Sequence, residues 1–131
     1  MSKETMKNIT REALITRAQA KEDSGNKYCE YKCKSLNSVI VVKRLPLGRI
    51  CDIMDMADEG STRGALAMYT QVIYESVPIL QDKEVQAAFE CIEPFDIVPK
   101  VFDENLGEIT KLAGFILEMY GIDTLGDDIK N

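Results

Sequence analysis

Residues 66–121 read LAMYTQVIYESVPILQDKEVQAAFECIEPFDIVPKVFDENLGEITKLAGFILEMYG, and the fold is decided there. The last part is the plainest. Leu106, Ile109, Ala113, Ile116, Leu117 and Tyr120 recur at helical spacing and make one apolar stripe. Leu66, Tyr69, Ile73, Val77 and Leu80 make a second stripe upstream. Two short pieces lie between them, around residues 85–89 and 95–102, punctuated by Pro94 and Pro99. The pattern predicts a compact helical platform with a hydrophobic face. Nothing in it carries chemistry.

Working outward toward the N-terminus, Pro46 suits the first turn of a helix. Leu47, Ile50, Cys51, Met54 and Ala57 supply that helix with an inward face, and Gly60 is placed to close it. Ser61 suits the N-cap of the next helix. That helix should end near Ser76, because Pro78 disfavours helix at Val77. Asp82 suits the cap of a short helix over residues 83–89, Pro94 the start of another, and Asp103 the cap of the last. Before Pro46, residues 27–34 alternate: Cys29, Tyr31 and Cys33 face one way, and Tyr28, Glu30, Lys32 and Lys34 the other. Residues 35–38 read as a turn. Val39, Ile40, Val41 and Val42 are four β-branched residues in succession, so the two runs predict a β-hairpin. A lone hairpin is marginal in water and must lie on the helices or extend another sheet. Thr10 suits the cap of a first helix running to about Glu22, with Leu14, Ile15 and Ala18 as a narrow apolar face.

The predicted class is therefore α+β and predominantly α-helical: an N-terminal helix and β-hairpin, then a bundle of about five helices. One domain accounts for all 131 residues. Its parts are a loosely held N-terminal helix (1–26), the hairpin (27–45), the helical region (46–121) and an acidic flexible tail (122–131).

Composition narrows the function classes. There is no histidine, the most common general base and metal ligand. The four cysteines, Cys29, Cys33, Cys51 and Cys91, lack the CxxC spacing of a zinc knuckle. Free thiols without metal are expected, and no cofactor. No glycine-rich phosphate loop exists, and Asp52, Asp55, Asp58 and Glu59 do not match calcium-loop spacing. No apolar run approaches the roughly 20 residues that cross a bilayer. The polar start MSKETMKNITRE does not read as a signal peptide, so a cytoplasmic, non-enzymatic protein without membrane contact is expected. Residues 1–49 hold 11 Lys/Arg against 5 Asp/Glu, a net of +6; residues 50–131 hold 5 against 17, a net of −12. A basic front and an acidic back favour head-to-tail self-association or a charged partner. Lys27, Lys32, Lys34, Lys43 and Arg44 with Tyr28 and Tyr31 suggest, as the alternative, a small nucleic-acid-binding regulator. The acidic remainder would repel phosphate, which makes that the weaker reading.

The order of pieces resembles the XkdN-like tail assembly chaperones of long-tailed phages and prophages. The matching stretches are ALITRAQAKED (13–23), VIVVKRLP (39–46), ICDIM (50–54), VPILQDKEV (77–85), AFECIEPFDIV (88–98) and GEI (107–109). The quoted stretches fall between residues 13 and 109, and the resemblance covers roughly residues 10–120, nearly the whole chain. One departure is Leu106, where the family pattern has proline before Gly-Glu-Ile. The resemblance implies an assembly factor of virion morphogenesis that binds the tape measure protein, a long and largely helical chain. It implies that the factor keeps this protein soluble, helps recruit tail tube protein, acts in the bacterial cytoplasm and is absent from the finished virion. The candidate contact residues are Arg11, Arg17 and Lys21 on the basic front. On the platform they are Leu66, Tyr69, Ile73, Phe95, Phe102, Ile109, Ile116 and Tyr120.

Overall fold

The computed structural model describes residues 7–24, 28–57 and 60–122, with the backbone alone for residues 21–24. Along the chain these form α1 (Arg11–Ser24), β1 (Tyr28–Cys33), β2 (Ser38–Lys43), α2 (Leu47–Met54), α3 (Thr62–Ser76), α4 (Lys83–Ala88), α5 (Ile97–Val101) and α6 (Leu106–Glu118). Two 3-10 turns, Pro78–Gln81 and Pro94–Asp96, link the later helices. The chain is α+β and predominantly helical, as the periodicities predict. Residues 123–131 of the acidic tail lie outside the described residues, as do Lys27 and Asp58–Glu59.

The hairpin is antiparallel, with Tyr28 opposite Lys43, Tyr31 opposite Ile40 and Cys33 opposite Ser38. Its alternation places Cys29, Tyr31 and Cys33 inward and Tyr28, Glu30 and Lys32 outward. The inward side rests on α6. The Tyr31 ring meets Phe115 at 5.0 Å, and the Cys29 thiol donates to the Met119 sulfur at 3.6 Å. The chain leaving β2 is tied to the same helix end. The Leu45 N–H donates to the Tyr120 hydroxyl at 2.6 Å, and Arg44 donates to the Met119 carbonyl at 3.0 Å while covering the Tyr120 ring. A sheet of two strands is stable here because α6 supplies the apolar surface it lacks.

The core lies between α3 and α6. Met68, Val72 and Ile73 of α3 pack with Ile109, Leu112, Ala113, Ile116 and Leu117 of α6, joined by Ile50 and Ile53 of α2 and Ile97 and Val98 of α5. The stripes read from the sequence are thus real but rotated. Leu112, Met68 and Val72 belong to the buried faces, and Leu106 does not. α3 and α6 are each packed on more than one neighbour, so their buried arcs are wider than a single seam.

The N-caps at Ser61 and Asp82 are as expected. Ser61 accepts from the Gly64 N–H, and Asp82 from the Glu84 and Val85 N–H groups. α1 likewise starts at Thr10, whose hydroxyl accepts from the Ala13 N–H. Two boundaries differ from expectation. α2 stops at Met54, well before Gly60, and buries Ile50 and Ile53 while Leu47 and Cys51 are exposed. Eight residues make too short a helix for a five-position stripe, and its buried direction falls between Ile50 and Ile53. The cap of α6 is Asn105, not Asp103: its side chain accepts from the Glu108 N–H at 3.0 Å. Asp103 and Glu104 have left-handed φ angles of 55° and 59° and close the end of α5, where the Glu104 N–H donates to the Pro99 carbonyl at 2.7 Å. An N-cap needs extended backbone, which Asn105 has and Asp103 lacks. Leu106 is then the first residue of α6.

Candidate functional site

Where α3, α5 and the start of α6 meet, the surface carries two adjoining depressions. The larger, about 420 Å³, is lined by Thr62, Arg63, Leu66, Pro99, Glu104, Leu106 and Ile109. The second, about 310 Å³, is lined by Met56, Arg63, Leu66, Ala67, Thr70, Gln71, Phe95, Asp96 and Pro99. Arg63, Leu66 and Pro99 border both, so the two read as one groove with a shared wall. Three of its lining residues are large apolar side chains left open to solvent: Met56 at 49%, Leu106 at 45% and Phe95 at 38%.

Local structure explains why these side chains converge. The Ser61 cap starts α3 so that Arg63 and Leu66 lie in its first turns. Pro94 and Pro99 keep the next segment in two short helical pieces, and the left-handed pair Asp103–Glu104 turns the chain sharply into α6. Leu106 therefore emerges at the corner before α6 enters the core at Ile109. Phe95 is held by an edge-on contact with Tyr74 at 4.8 Å. Asp96 accepts from the Glu93 N–H at 3.0 Å, in a capping box that fixes its place at the rim. The groove thus has an apolar floor, an acidic residue at each depression (Glu104 and Asp96) and one cation, Arg63, on the shared wall. Apolar anchors spaced along one helix face suit such a surface.

The candidate contact residues divide. Leu66, Phe95 and Ile109 line the groove, Ile109 as its buried floor. Ile73, Phe102 and Ile116 are buried in the core and present no surface. Tyr69 is half-buried, and Tyr120 is engaged with the hairpin through Leu45 and Arg44. Arg11 and Arg17 are exposed on α1, apart from the groove residues in sequence; the Lys21 side chain lies outside the described residues. Sequence reasoning did not single out Met56, Arg63, Pro99 or Glu104 as contact residues. The signal that marks the place is the sharp corner: two prolines and a short polar turn ahead of an apolar residue at a helix start.

The remaining constellations have simple geometry. All four cysteines are free thiols: Cys33 is buried, Cys29 and Cys91 half-buried and Cys51 exposed. Among the described residues no group of three or more Cys, Asp or Glu is arranged to hold a metal ion. Nor among them is any helix long and apolar enough to cross a membrane. On the hairpin, Tyr28 is exposed, but Tyr31 is packed on Phe115, and its phenol is pushed up by burial and then by Cys33 and Glu108.

Comparison of the chain with family models, with curated proteins and with solved structures found no match.

Proposed function

We propose that this protein is a non-catalytic tail assembly chaperone of a long-tailed phage or prophage, and that it holds a helical segment of the tape measure protein in the α3–α5–α6 groove. Two things support the reading. The short motifs over residues 10–120 resemble those of the XkdN-like chaperones. The groove supplies what a helix-binding chaperone needs, namely Met56, Leu66, Phe95 and Leu106 open on one apolar surface. That groove is the observation on which the proposal rests. Apolar anchors give affinity, and the net charge of −6 gives solubility and some choice of partner. In the host cytoplasm the chaperone would keep its client soluble and help recruit tail tube protein, and it would be absent from the virion.

The test is co-expression with the tape measure protein of the same tail, followed by pull-down. The wild-type chain should co-purify with it. Met56→Glu with Leu106→Glu should lose it, since a charge in an apolar contact is left without a partner. A chain with Arg11, Arg17 and Lys21 all changed to Glu should retain it. Failure of the wild-type chain to co-purify when both proteins are soluble would count against the chaperone reading. Loss by the charge-reversed chain with retention by the groove variant would move the contact to α1.

A further inference from the structure

We infer that the free edge of β1 pairs with β1 of a second copy across a twofold axis, joining two hairpins into one four-stranded antiparallel sheet. The inference concerns this chain alone and does not depend on what the client is. The sheet has two strands, and each is an edge. Among the described residues, no backbone group of β1 bonds to a backbone group outside the hairpin. Alternate N–H and C=O groups of such a strand point away from its one partner and are open to a further strand. The two edges differ in their surroundings. β2 lies against the 3-10 turn Pro78–Gln81, whereas β1 borders open space. A depression of about 240 Å³ lies there, lined by Tyr31, Lys32 and Lys34 on the hairpin side and by Glu108 and Lys111 of α6. Tyr31 points inward and Lys32 outward, so a depression that touches both runs along the edge of the strand.

The side chains select the second copy and its register. Tyr28, Glu30 and Lys32 face solvent while Cys29, Tyr31 and Cys33 face inward, so a paired strand must match outer face to outer face. Two antiparallel registers do so and keep the pairing centred on the strand. One sets Glu30 opposite Glu30 of the second copy, a like-charge contact that opposes pairing. The other puts Tyr31 on the axis and sets Glu30 of each copy opposite Lys32 of the other. One self-complementary pattern then makes two opposite-charge pairs. Lys34 of the second copy falls opposite Tyr28, not opposite another cation. Lysine on an open edge ordinarily guards against pairing, and in this register each Lys32 meets a carboxylate. The row crossing the sheet reads Val41 and Glu30, then Lys32 and Val39 of the second copy. Each ion pair is thus flanked by valines that are 46% and 51% exposed in the single chain. Pairing also widens the sheet from two strands, which are marginal alone, to four. The contact uses the same patch on both copies, so it closes at a dimer.

The experiment is mass measurement by light scattering from low micromolar to near millimolar concentration, with amide exchange followed over the same range. The wild-type chain should rise to the mass of a dimer and stop there, and exchange in β1 should slow as it does. Glu30→Lys sets lysine against lysine and Lys32→Glu sets glutamate against glutamate, so each variant alone should stay monomeric. Mixed in equal amounts, the two should form a heterodimer, because each position then meets the opposite charge. A chain carrying both changes should dimerise like the wild type for the same reason. Both positions are exposed, so the variants should fold as the wild type does. A wild-type chain that stays monomeric throughout overturns the inference, and so does growth beyond a dimer. Association that survives both single changes, or a dimer in which β1 exchange is unchanged, places the contact elsewhere and does the same. Folded single variants that fail to pair with each other also overturn it.

Discussion

Ser76 is the one buried side chain among the described residues whose polar atom has no partner. It is fully enclosed at the last position of α3, next to Val77. An unpaired hydroxyl in such a place costs about 1–3 kcal/mol. Ser76→Ala should therefore hold or raise the urea midpoint, and a clear fall would mean that the hydroxyl finds an acceptor in solution. Asn105 has the opposite standing. Its side chain caps α6 through the Glu108 N–H, so Asn105→Ala should lower stability by about 1 kcal/mol in the same urea titration. Asp103→Ala should leave the cap intact, because the Asp103 carboxylate is not the group that binds the α6 N-terminus. Ile116, fully buried between α3 and α6, should cost about 2–5 kcal/mol when cut to Ala.

At the scale of elements, two polar ties decide how the outer pieces sit on the α3–α6 core. The hairpin is anchored where Tyr120 accepts the Leu45 N–H and supports Arg44. Tyr120→Phe removes that acceptor from a partly buried N–H and should cost about 1–3 kcal/mol. Amide exchange at Leu45 should quicken; unchanged exchange would place the anchor elsewhere. α2 is tied to α3 by Arg49, whose Nε donates to Glu75 at 2.8 Å, with Gln71 donating to the same carboxylate. The Arg49 hydrogen bond holds the Glu75 carboxyl below its ordinary value of 4.5, against the opposing effect of partial burial, with Gln71 adding to the depression. A carboxyl depressed in the folded chain adds stability that is complete above the ordinary value and is lost as pH falls through its lower native value. The advantage of the wild-type chain over Glu75→Gln should thus shrink below about pH 4.5. It should be small throughout, because Arg49 is substantially exposed.

At the scale of the whole molecule, charge is divided along the chain, a net of +6 over residues 1–49 and −12 over residues 50–131. α1 contributes a helix of balanced charge, three Arg/Lys against three Asp/Glu, with every side chain from residue 11 to 20 exposed, and the α3–α5–α6 corner contributes a groove bordered by Glu104, Asp96 and Arg63. Changing Arg11, Arg17 and Lys21 to Glu should leave the thermal midpoint nearly unmoved, since surface changes usually cost under about 0.5 kcal/mol. A drop comparable to that of Ile116→Ala would mean that α1 is part of the folded core in solution.

The periodicity of residues 66–121, the β-branched run at 39–42 and the caps at Ser61 and Asp82 determined the class, the hairpin and most helix boundaries by themselves. Such signals are local: a capping side chain meets its own helix within three or four residues, and a strand shows its two faces by alternation. The same logic failed at Asp103, because the turn that ends α5 claimed that residue for a left-handed backbone and passed the cap to Asn105. It also failed on which stripe residues stay open. Ile73, Phe102 and Ile116 carry the same helical periodicity or apolar character as Leu66 and Leu106, yet the first three are enclosed while the last two reach the groove. Burial is settled by how many neighbours surround a face, and that depends on α2, α5 and α6 closing on α3 from separate parts of the chain. The groove exists only where that closure is incomplete, at the corner made by Met56, Phe95, Pro99 and Leu106, residues up to 50 positions apart that only the tertiary structure brings together.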